Sequence, residues 1–436
     1  MSGSSTPPYS VWNVLWEANV GGNDYMTTGS YAEYRQYPGL GQNFYVPAGG
    51  QFADLPPLFR LSSGPDHMAS ALPNEGGYTN EGVLGYPFTN PGSLPGLNGI
   101  RRVYNGSDHA TVATGTGIAG YSDDGPIGNL YGYMRYRTEV EAFQTCSGGA
   151  ITEQSDLIAG GAVARWWWNG INFINTSDYG RYMQADIFSP IGDGRFFNPI
   201  EAGSLISNDV GGDPVLFRHG SPCVLANVSG NVHQTRAVPI DYLLPPPFGP
   251  FPKNDVDHLY LYQGIQIGKD LTLGWNGMPQ VAQYKTIVGT VTPFFASDVE
   301  VPTAYLNEQF KRFYQYDPLS SNPLSEISVG VGEANEVRWI PPQGYGGVII
   351  GNDVGSAAMG VYAVTDRAGT GSRITRLSLA NFIDDDPGTV NSTKWGVRAE
   401  NFNLNVGTNE FRAYIVTGTT ADVANIMQQL YAMGAN

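Results

Sequence analysis

Alternation of large apolar and polar residues is the main pattern of the chain from about residue 126 onwards. Residues 130–143 (LYGYMRYRTEVEAF) alternate in this way, and AVARWWWNGINFIN carries an Asn169-Gly170 dipeptide between two strand-like segments, the pattern of a tight β-hairpin. Similar segments recur through QVAQYKTIVGTVTPFF and again after residue 325. Short strands separated by Gly, Asn, Asp and Pro turns are typical of β-sandwiches, so the pattern predicts a mostly β protein.

One α-helix is predicted, over about residues 420–433. Thr419 or Thr420 can serve as its N-cap, and Gly434 is placed for its C-terminal cap. This helix is expected to pack its apolar face on the last sheet. The apolar residues follow the i, i+3, i+4 and i+7 spacing of one helix face: Val423, Ile426, Met427 and Leu430.

The composition changes along the chain and indicates where domains begin and end. Residues 1–125 are rich in Gly, Pro, Asn and Tyr, which is typical of ordered loops around short strands. Their many aromatic residues predict that they fold onto the rest of the protein. Near residues 300–325 a connecting segment interrupts the strands. We therefore predict a large antiparallel β-sandwich domain over residues 1–305 and a smaller C-terminal β-sandwich domain over residues 306–436, which ends in the helix.

Composition supports the β prediction and limits the partners. Charged residues are only 14% of the 436 residues, whereas Gly (57), Pro (30) and Tyr (26) are abundant, as in strands joined by loops. The formal net charge of −16 would repel a phosphate backbone, so we predict no nucleic-acid partner. No apolar run reaches the roughly 18 residues that span a bilayer, so we predict no membrane partner either.

The protein is expected to be secreted. An acidic, sparsely charged surface suits solubility outside a cell. The first residues, MSGSSTPPYS, have neither the basic nor the apolar region of a signal peptide, so either the protein is not exported by this route or the signal was removed and is absent from this sequence. The two cysteines, Cys146 and Cys223, leave one disulfide bridge and two free thiols as open alternatives.

Motifs of the common cofactor and metal sites are absent from the sequence. There is no G-x-S-x-G elbow, no Walker lysine and no H-E-x-x-H pair, and the five histidines have no metal-ligand spacing. Aspartates in DDGP (123–126) and IDDDPG (383–388) could bind calcium. They fit no calcium-loop template, and we interpret them as solvated turns. We predict no cofactor and no metal site, with a structural calcium ion as the alternative.

Polar residues that rarely occupy a strand without a partner are concentrated in residues 159–243. They lie among aromatic residues, including Trp167, Trp168 and Tyr182. An aromatic face covers the C–H face of a sugar ring, while carboxylate, amide and guanidinium groups bind its hydroxyls. The combination therefore favours a carbohydrate site. Its polar members are Asp178, Arg181, Gln184, Asn198, Glu201, His219, His233, Arg236 and Asp241.

Two kinds of carbohydrate chemistry could use these residues. Glycoside hydrolysis needs two carboxyl groups, and lyase chemistry needs a His or Tyr base with a group that neutralises the substrate carboxylate. The spacing fits both, and buried ion pairs, for example between Asp178 and Arg181, are the plain structural alternative. The predicted catalytic residues are Asp178, Glu201, Asp241 and His233. The predicted substrate-binding residues are Arg181, Gln184, Asn198, His219, Arg236, Trp167, Trp168 and Tyr182.

The segment GGAVARWWWNGINFINTSDYGRYMQ resembles a pattern of bacterial secreted proteins with the galactose-mutarotase-like supersandwich. In that pattern a GGA-strand-NG-strand-N hairpin leads into D-x-G-R-x-x-Q. The resemblance, over residues 159–243, implies a large twisted antiparallel β-supersandwich with a sugar-binding concave face. The matching positions are Gly160, Gly161, Ala162, Asn169, Gly170, Asn175, Asp178, Gly180, Arg181, Gln184, Asn198-Pro199 and Glu201-Ala202-Gly203.

The favoured function is that of a secreted carbohydrate-active protein that cleaves a polysaccharide, as a glycoside hydrolase or a polysaccharide lyase. Its expected partner is a polysaccharide or an oligosaccharide. A structural subunit with jelly-roll domains, from a virion or an appendage, is one alternative, and a non-catalytic lectin is another. A homo-oligomer is compatible with each of these functions.

Overall fold

The computed structural model describes most of the chain, and β-strands account for nearly all of its regular structure. The described residues are 9–21, 24–34, 36–37, 42–48, 55–90, 97–114, 117–124, 127, 130–136, 143–177, 181–190, 196–197, 199–205, 218–241, 258–262, 265–290, 293–385 and 391–435.

The strands of the first half of the chain are short and closely spaced. They are β1 (Tyr9–Gly21), β2 (Asp24–Thr28), β3 (Gln42–Pro47), β4 (Leu58–Ser63), β5 (Asp66–Ser70), β6 (Thr79–Gly85), β7 (Asn98–Tyr104), β8 (His109–Ala113), β9 (Ser122–Asp123), β10 (Leu130–Tyr136), β11 (Phe143–Gly148), β12 (Ile151–Asp156), β13 (Ala162–Trp168), β14 (Ile171–Asn172), β15 (Gln184–Pro190), β16 (Phe196–Phe197), β17 (Pro199–Ile200) and β18 (Gly203–Leu205).

The second half contains the longest strands and the main helix. The strands are β19 (Arg218–Gly220), β20 (Cys223–Ser229), β21 (Val232–Ala237), β22 (Ile240–Asp241), β23 (His258–Tyr262), β24 (Ile265–Leu273), β25 (Val281–Thr290), β26 (Phe294–Asn307), β27 (Phe310–Tyr316), β28 (Leu324–Ile327), β29 (Val337–Trp339), β30 (Tyr345–Asn352), β31 (Ala358–Val364), β32 (Arg376–Asn381), β33 (Ser392–Leu404) and β34 (Gly407–Gly418). The α-helices are α1 (Tyr31–Tyr34) and α2 (Thr420–Ala432).

Two large antiparallel sheets form the body of the molecule. The larger has sixteen strands, thirteen of them in the order β29-β32-β33-β26-β15-β17-β22-β23-β1-β3-β10-β7-β8. The other has nine strands in the order β20-β21-β24-β25-β34-β31-β30-β27-β28. Smaller sheets are formed by β11 to β14, by β18 and β19, and by β4, β5 and β6. The mostly β, antiparallel fold with one C-terminal helix is thereby confirmed.

The two large sheets face each other across one apolar core. Ala185 and Ile187 on β15, Trp395 on β33, and Tyr284 and Val288 on β25 all belong to this core and have exposed fractions of 0%. Successive residues of a strand point to opposite faces of the sheet. The residues between these core positions therefore lie on the outer faces of the sheets.

Both large sheets continue across the predicted domain boundary at residue 305. Strand β26 crosses it and pairs with β33 from Phe294 opposite Leu404 to Asn307 opposite Ser392. In the other sheet, β25 pairs with β34 from Val281 opposite Val416 to Thr290 opposite Gly407. Residues after 305 thus extend the same two sheets, and the strand pairing gives no support to a boundary between 305 and 306.

The described part of the loop-rich N-terminal region is folded onto the rest of the molecule, as its aromatic residues predicted. Strands β1, β3, β10, β7 and β8 extend the larger sheet. Leu15, Phe44, Val46 and Leu58 have exposed fractions of 0% and share one apolar cluster. Burial of this size stabilises each side chain by about 1.5–3 kcal/mol relative to exposure, which explains why this region is ordered.

The Asn169-Gly170 hairpin is present as predicted. Asn169 (φ 50°) and Gly170 (φ 78°) both have positive φ, which a tight type I′ turn requires, and Trp168 pairs with Ile171. Cys146 is buried and Cys223 is half-buried, and both are free thiols. Burial raises the pKa of the Cys146 thiol to about 11, so it is a weak nucleophile.

Helix α2 packs on the outer face of the nine-stranded sheet, as predicted. Thr419 is its N-cap: its hydroxyl accepts a hydrogen bond from Asp422 N at 3.1 Å, and the Asp422 carboxylate accepts one from Thr419 N at 3.2 Å. This capping box satisfies two amides of the first turn. The predicted apolar face is buried against Tyr362 and Tyr414 of the sheet. No helix in the described part of the chain has the length and apolar composition needed to cross a bilayer.

Replacement of Leu430 by alanine should lower the free energy of unfolding by about 2–5 kcal/mol, because it leaves a cavity between helix and sheet. Leu430 has an exposed fraction of 0%. Urea denaturation measures the free energy of unfolding of Leu430→Ala and of a control, Gln429→Ala, at the neighbouring exposed position. Gln429→Ala should change the value by less than about 0.5 kcal/mol. Equal small losses in both variants would show that the helix is only loosely attached.

Candidate functional site

Four predicted site residues have side chains outside the described part of the chain. Asp178 and Asn198 lie wholly outside it. His219 lies on β19 opposite Ser204, and Asp241 lies on β22 opposite Pro199, but only their backbones are described. Their predicted roles stay predictions.

Glu201 is a member of a buried ion pair in the interior. Its exposed fraction is 0%, and its Oε1 is 3.3 Å from Nζ of Lys269, which is equally buried. Lys269 also donates to Thr235 Oγ1 at 2.9 Å and to the carbonyl of Gly161. A carboxylate enclosed in this way cannot touch a polysaccharide. The prediction that Glu201 is catalytic is therefore corrected: the pair is structural, and removal of one partner would leave the other charged and buried.

His233 is also buried, between the nine-stranded sheet and the sheet of β11 to β14. Its Nδ1 contacts Oε1 of Glu153, and its Nε2 is 2.9 Å from Oε1 of Gln144. Both ring nitrogens have partners, and the exposed fractions of His233 and Glu153 are 0%. The catalytic prediction for His233 is corrected for the same reason as that for Glu201.

Four of the predicted substrate-binding residues do not lie together at one site. Tyr182 is buried and its hydroxyl donates to Asp156 Oδ2 at 3.2 Å. Arg236 pairs with Asp270 at 2.9 Å on the outer face of the nine-stranded sheet. Trp167 and Trp168 are half-buried, and Trp168 packs against the central core. These four residues do not line one cleft with Glu201 and His233.

Two of the predicted substrate-binding residues, Arg181 and Gln184, lie at a cluster of charged side chains. Gln184 begins β15 on the face opposite the core and accepts a hydrogen bond from Ala202 N at 2.9 Å. Arg181 donates to Ser392 Oγ, and its guanidinium lies 5.7 Å from the ring centre of Tyr305. Gln184 belongs to the surface described next, and Arg181 borders it.

A charged surface covers the outer side of four neighbouring strands of the sixteen-stranded sheet. In register, Asp186 of β15 is opposite Glu300 of β26, Glu300 is opposite Arg398 of β33, and Arg398 is opposite Arg376 of β32. A β-bulge between Glu300 and Thr303 shifts the alternation by one residue. We call this surface the polar face: Gln184, Asp186, Asp298, Glu300, Thr303, Tyr305, Arg376, Ser378, Lys394, Gly396 and Arg398.

Two cations bind the central carboxylates of the polar face. Arg398 Nη2 is 2.6 Å from Glu300 Oε1 and 2.6 Å from Glu336 Oε1, and Arg398 Nη1 contacts Asp298. Lys394 Nζ is 2.7 Å from Glu300 Oε1. The exposed fractions of Glu300, Arg398 and Lys394 are 1%, 7% and 9%. At such burial the pairs are strong only because each charge has several partners.

Asp186 and Glu300 have pKa values shifted in opposite directions. Burial first, and then the negative charge of Glu300, raises the pKa of Asp186 well above its usual value, and Asp186 Oδ1 has no hydrogen-bond partner among the described residues. Burial alone would raise the pKa of Glu300 too, but the charges of Lys394 and Arg398 outweigh it and lower that pKa. A neutral carboxyl beside an ionised one is the arrangement from which enzymes obtain a proton donor.

A buried glycine lies at the centre of the polar face. Gly396 lies between Ser378 and Thr303, and a Cβ at this position would be 2.9 Å from Ser378 Oγ and 3.9 Å from Glu300 Oε1. A side chain at 396 would therefore fill the space beside Glu300. Tyr305, half-buried, adds an aromatic ring whose centre lies 5.1 Å from Lys394 Nζ.

Sequence analysis missed the polar face although the sequence contains a signal for it. Asp298 and Glu300, and Arg398 and Glu400, are spaced by two residues inside otherwise apolar strands, which places each pair on one face. Among the described residues, no group of three or more His, Cys, Asp or Glu side chains is arranged to hold a metal ion. Asp123 and Asp124, in one of the two calcium candidates, instead pair with Arg101 and Arg102.

Comparisons with known proteins give structural likeness only. No family model and no curated protein matches the chain. A galactose mutarotase related enzyme from Lactobacillus acidophilus is 10% identical, with a TM-score of 0.39 over 64% of this chain and 98% of that one. A galactose mutarotase-like protein from Clostridium acetobutylicum is 9% identical, with a TM-score of 0.34 over 66% and 95%.

A heparan sulfate lyase from Pedobacter heparinus is 8% identical, with a TM-score of 0.27 over 64% of this chain and 35% of that one. TM-scores under 0.5 are too low to carry an argument about function, so the description of the fold rests on the strands of this chain. The structures that are similar to the chain nevertheless include the galactose-mutarotase-like proteins that its hairpin segment resembles.

Proposed function

We propose that the protein acts on a carbohydrate at the polar face and cleaves a glycosidic bond by hydrolysis, with Asp186 as the proton donor. The observation that carries the proposal is the cross-strand pair of Asp186 and Glu300, whose pKa values are shifted in opposite directions. Asp186 is half-buried. Its raised pKa makes it the carboxyl of the pair that is suited to give a proton to a substrate oxygen.

Glu300 is assigned a positioning role, because its exposed fraction of 1% and its two cations prevent direct attack on a substrate. After burial, its negative charge is the next cause that raises the pKa of Asp186. Directly opposite residues on antiparallel strands have Cβ atoms about 4.5–5.5 Å apart, which is close enough for a strong effect of one charge on the other pKa. Lys394 and Arg398 hold Glu300 in the ionised state.

The reaction proposed for this arrangement needs only water as the second reactant. Asp186 donates its proton to the glycosidic oxygen while the bond between that oxygen and the anomeric carbon breaks. Water then adds to the anomeric carbon, and the proton that it releases restores the acid form of Asp186. The guanidinium of Arg181 and the ring of Tyr305 are the groups proposed to bind sugar hydroxyls and a sugar C–H face. An extracellular location remains part of the proposal.

Incubation of the purified protein with a panel of neutral and acidic polysaccharides tests the proposal. Hydrolysis should release new reducing ends from at least one polysaccharide without the ultraviolet absorbance of an unsaturated product. Unsaturated ends would indicate lyase chemistry and would contradict the role of Asp186. Binding without either product would indicate a lectin, and particles of megadalton mass in size-exclusion chromatography would indicate an assembly subunit.

A further inference from the structure

A pocket rich in cations lies on the other side of the sandwich from the polar face. It has a volume of about 410 Å³ and opens between β25, β34 and the loop that joins β31 to β32. Pockets for small ligands have volumes of about 300–1,000 Å³. The lining residues with polar side chains include Lys285, Ser372, Arg373, Thr408, Glu410 and Arg412.

The pocket is lined mainly by basic residues, although the protein as a whole is acidic. The chain carries 23 basic and 39 acidic residues, yet three basic residues and one acidic residue line the pocket. Lys285 and Arg412 are directly opposite each other on β25 and β34, and like charges in that position repel. Lys285 Nζ is 3.1 Å from Asp270 and 3.6 Å from Glu410, which offsets the repulsion in part.

Arg373 is positioned by a buried amide. Its Nη1 donates to Asn409 Oδ1 at 2.7 Å. Asn409 has an exposed fraction of 2% and donates in turn to the carbonyl of Asn405 at 2.9 Å. The bond to Asn409 therefore helps to fix the direction of this third cation of the pocket, while the residue itself is exposed. An ordered guanidinium loses less entropy when it binds a ligand than a free one.

The loop that closes the pocket is held by hydrogen bonds of its own. Ser372 Oγ donates to the carbonyl of Val364 at 2.6 Å and accepts from Ile374 N at 3.2 Å. Gly371 has φ +81°, and a Cβ there would meet no atom within 4 Å, so the loop turns sharply without filling the cavity. The pocket is thus formed before any ligand arrives.

We propose that this pocket binds an oxyanion group, either the carboxylate or the sulfate of an acidic sugar or a free phosphate. Residues with guanidinium and ammonium groups line it from three segments, and charge-assisted hydrogen bonds to an oxyanion are about twice as strong as neutral ones. An oxyanion between Lys285 and Arg412 also removes their repulsion. The pocket is separate from the polar face, so this inference does not depend on the function proposed for that face.

Isothermal titration at constant ionic strength tests the proposal with four probes: digalacturonate, a sulfated galactose disaccharide, inorganic phosphate and neutral digalactose. At least one anionic probe should bind, and Arg412→Gln should weaken it about ten-fold or more. Arg312→Gln is the matched control, because Arg312 is exposed and pairs with Glu326 on β28, away from β34. The anionic probe that binds most tightly shows whether the oxyanion is a sugar carboxylate, a sugar sulfate or a free phosphate.

A thermal melt separates loss of binding from loss of folding. Without a ligand, Arg412→Gln should melt close to the temperature of the wild type, because Arg412 is exposed and substitutions at exposed positions usually have small effects on stability. The binding probe should raise the melting temperature of the wild type and of Arg312→Gln more than that of Arg412→Gln. Equal binding of neutral digalactose, equal affinity in Arg412→Gln, or binding of none of the three anions would overturn the proposal.

Discussion

The free energy of unfolding is expected to fall as the pH rises from about 5 to 9, because a carboxyl group in the N-terminal part of the fold is buried and forms no ion pair among the described residues. Glu17 on β1 has an exposed fraction of 1%. It accepts hydrogen bonds from Thr27 Oγ1 at 2.9 Å and from Thr111 N at 3.3 Å. Burial, which outweighs these bonds, raises the pKa of Glu17 to about 8.

The direction of this pH dependence follows from the pKa of Glu17 in the unfolded chain and in the folded protein. In the unfolded chain Glu17 loses its proton near pH 4.5, whereas the folded protein keeps it to about pH 8. The resulting stabilisation is complete below the unfolded pKa and is lost as the pH rises through the folded one. Asp108, whose pKa burial raises to about 7, acts in the same direction.

The variant Glu17→Gln measures this effect directly. A neutral amide does not ionise, so the variant should be more stable than the wild type at pH 9, by up to about 5 kcal/mol, and should gain nothing at pH 4. Urea denaturation at pH 4, 6.5 and 9 provides the comparison. Glu326→Gln, at an exposed position paired with Arg312, should show no such gain. A Glu17→Gln difference that is independent of pH would show that Glu17 is already ionised in the fold.

Local sequence patterns predicted the hairpin and the C-terminal helix, but they did not predict which strands belong to the same sheet. The hairpin at Asn169-Gly170 and helix α2 depend on local patterns, and both were found. Membership of a sheet depends instead on partners far away in the chain, such as β25 with β34. A change of composition near residue 300 carries no information about such pairing, which is why the predicted boundary at 305 is not reflected in the sheets.

The candidate site was harder to predict because it depends on which face of a strand a residue occupies. Within residues 159–243, Glu201 and His233 point into the interior, whereas Gln184 belongs to the polar face. Sequence proximity therefore grouped side chains that the fold separates. Asp186 and Glu300 are distant in sequence and meet only because β15 and β26 are neighbours.

The central claim is that Asp186 is a proton donor rather than a buried structural group, and the variant Asp186→Asn distinguishes the two. Because burial and the charge of Glu300 raise the pKa of Asp186 and so favour its neutral form, the neutral amide of Asn should preserve the contacts of the polar face. At pH 7 the variant should be as stable as the wild type or more stable, since the cost of keeping Asp186 protonated is removed.

The most direct test is kcat/KM of Asp186→Asn on the polysaccharide that the wild-type protein cleaves fastest. Loss of a general acid should lower kcat/KM about 10²–10⁴-fold, with an unchanged or higher melting temperature. Asp353→Asn is the matched control, because Asp353 is exposed and pairs with Lys311 on the other sheet, and it should keep wild-type activity. Wild-type activity in Asp186→Asn, or an activity loss that follows loss of folded protein, would contradict the role assigned to Asp186.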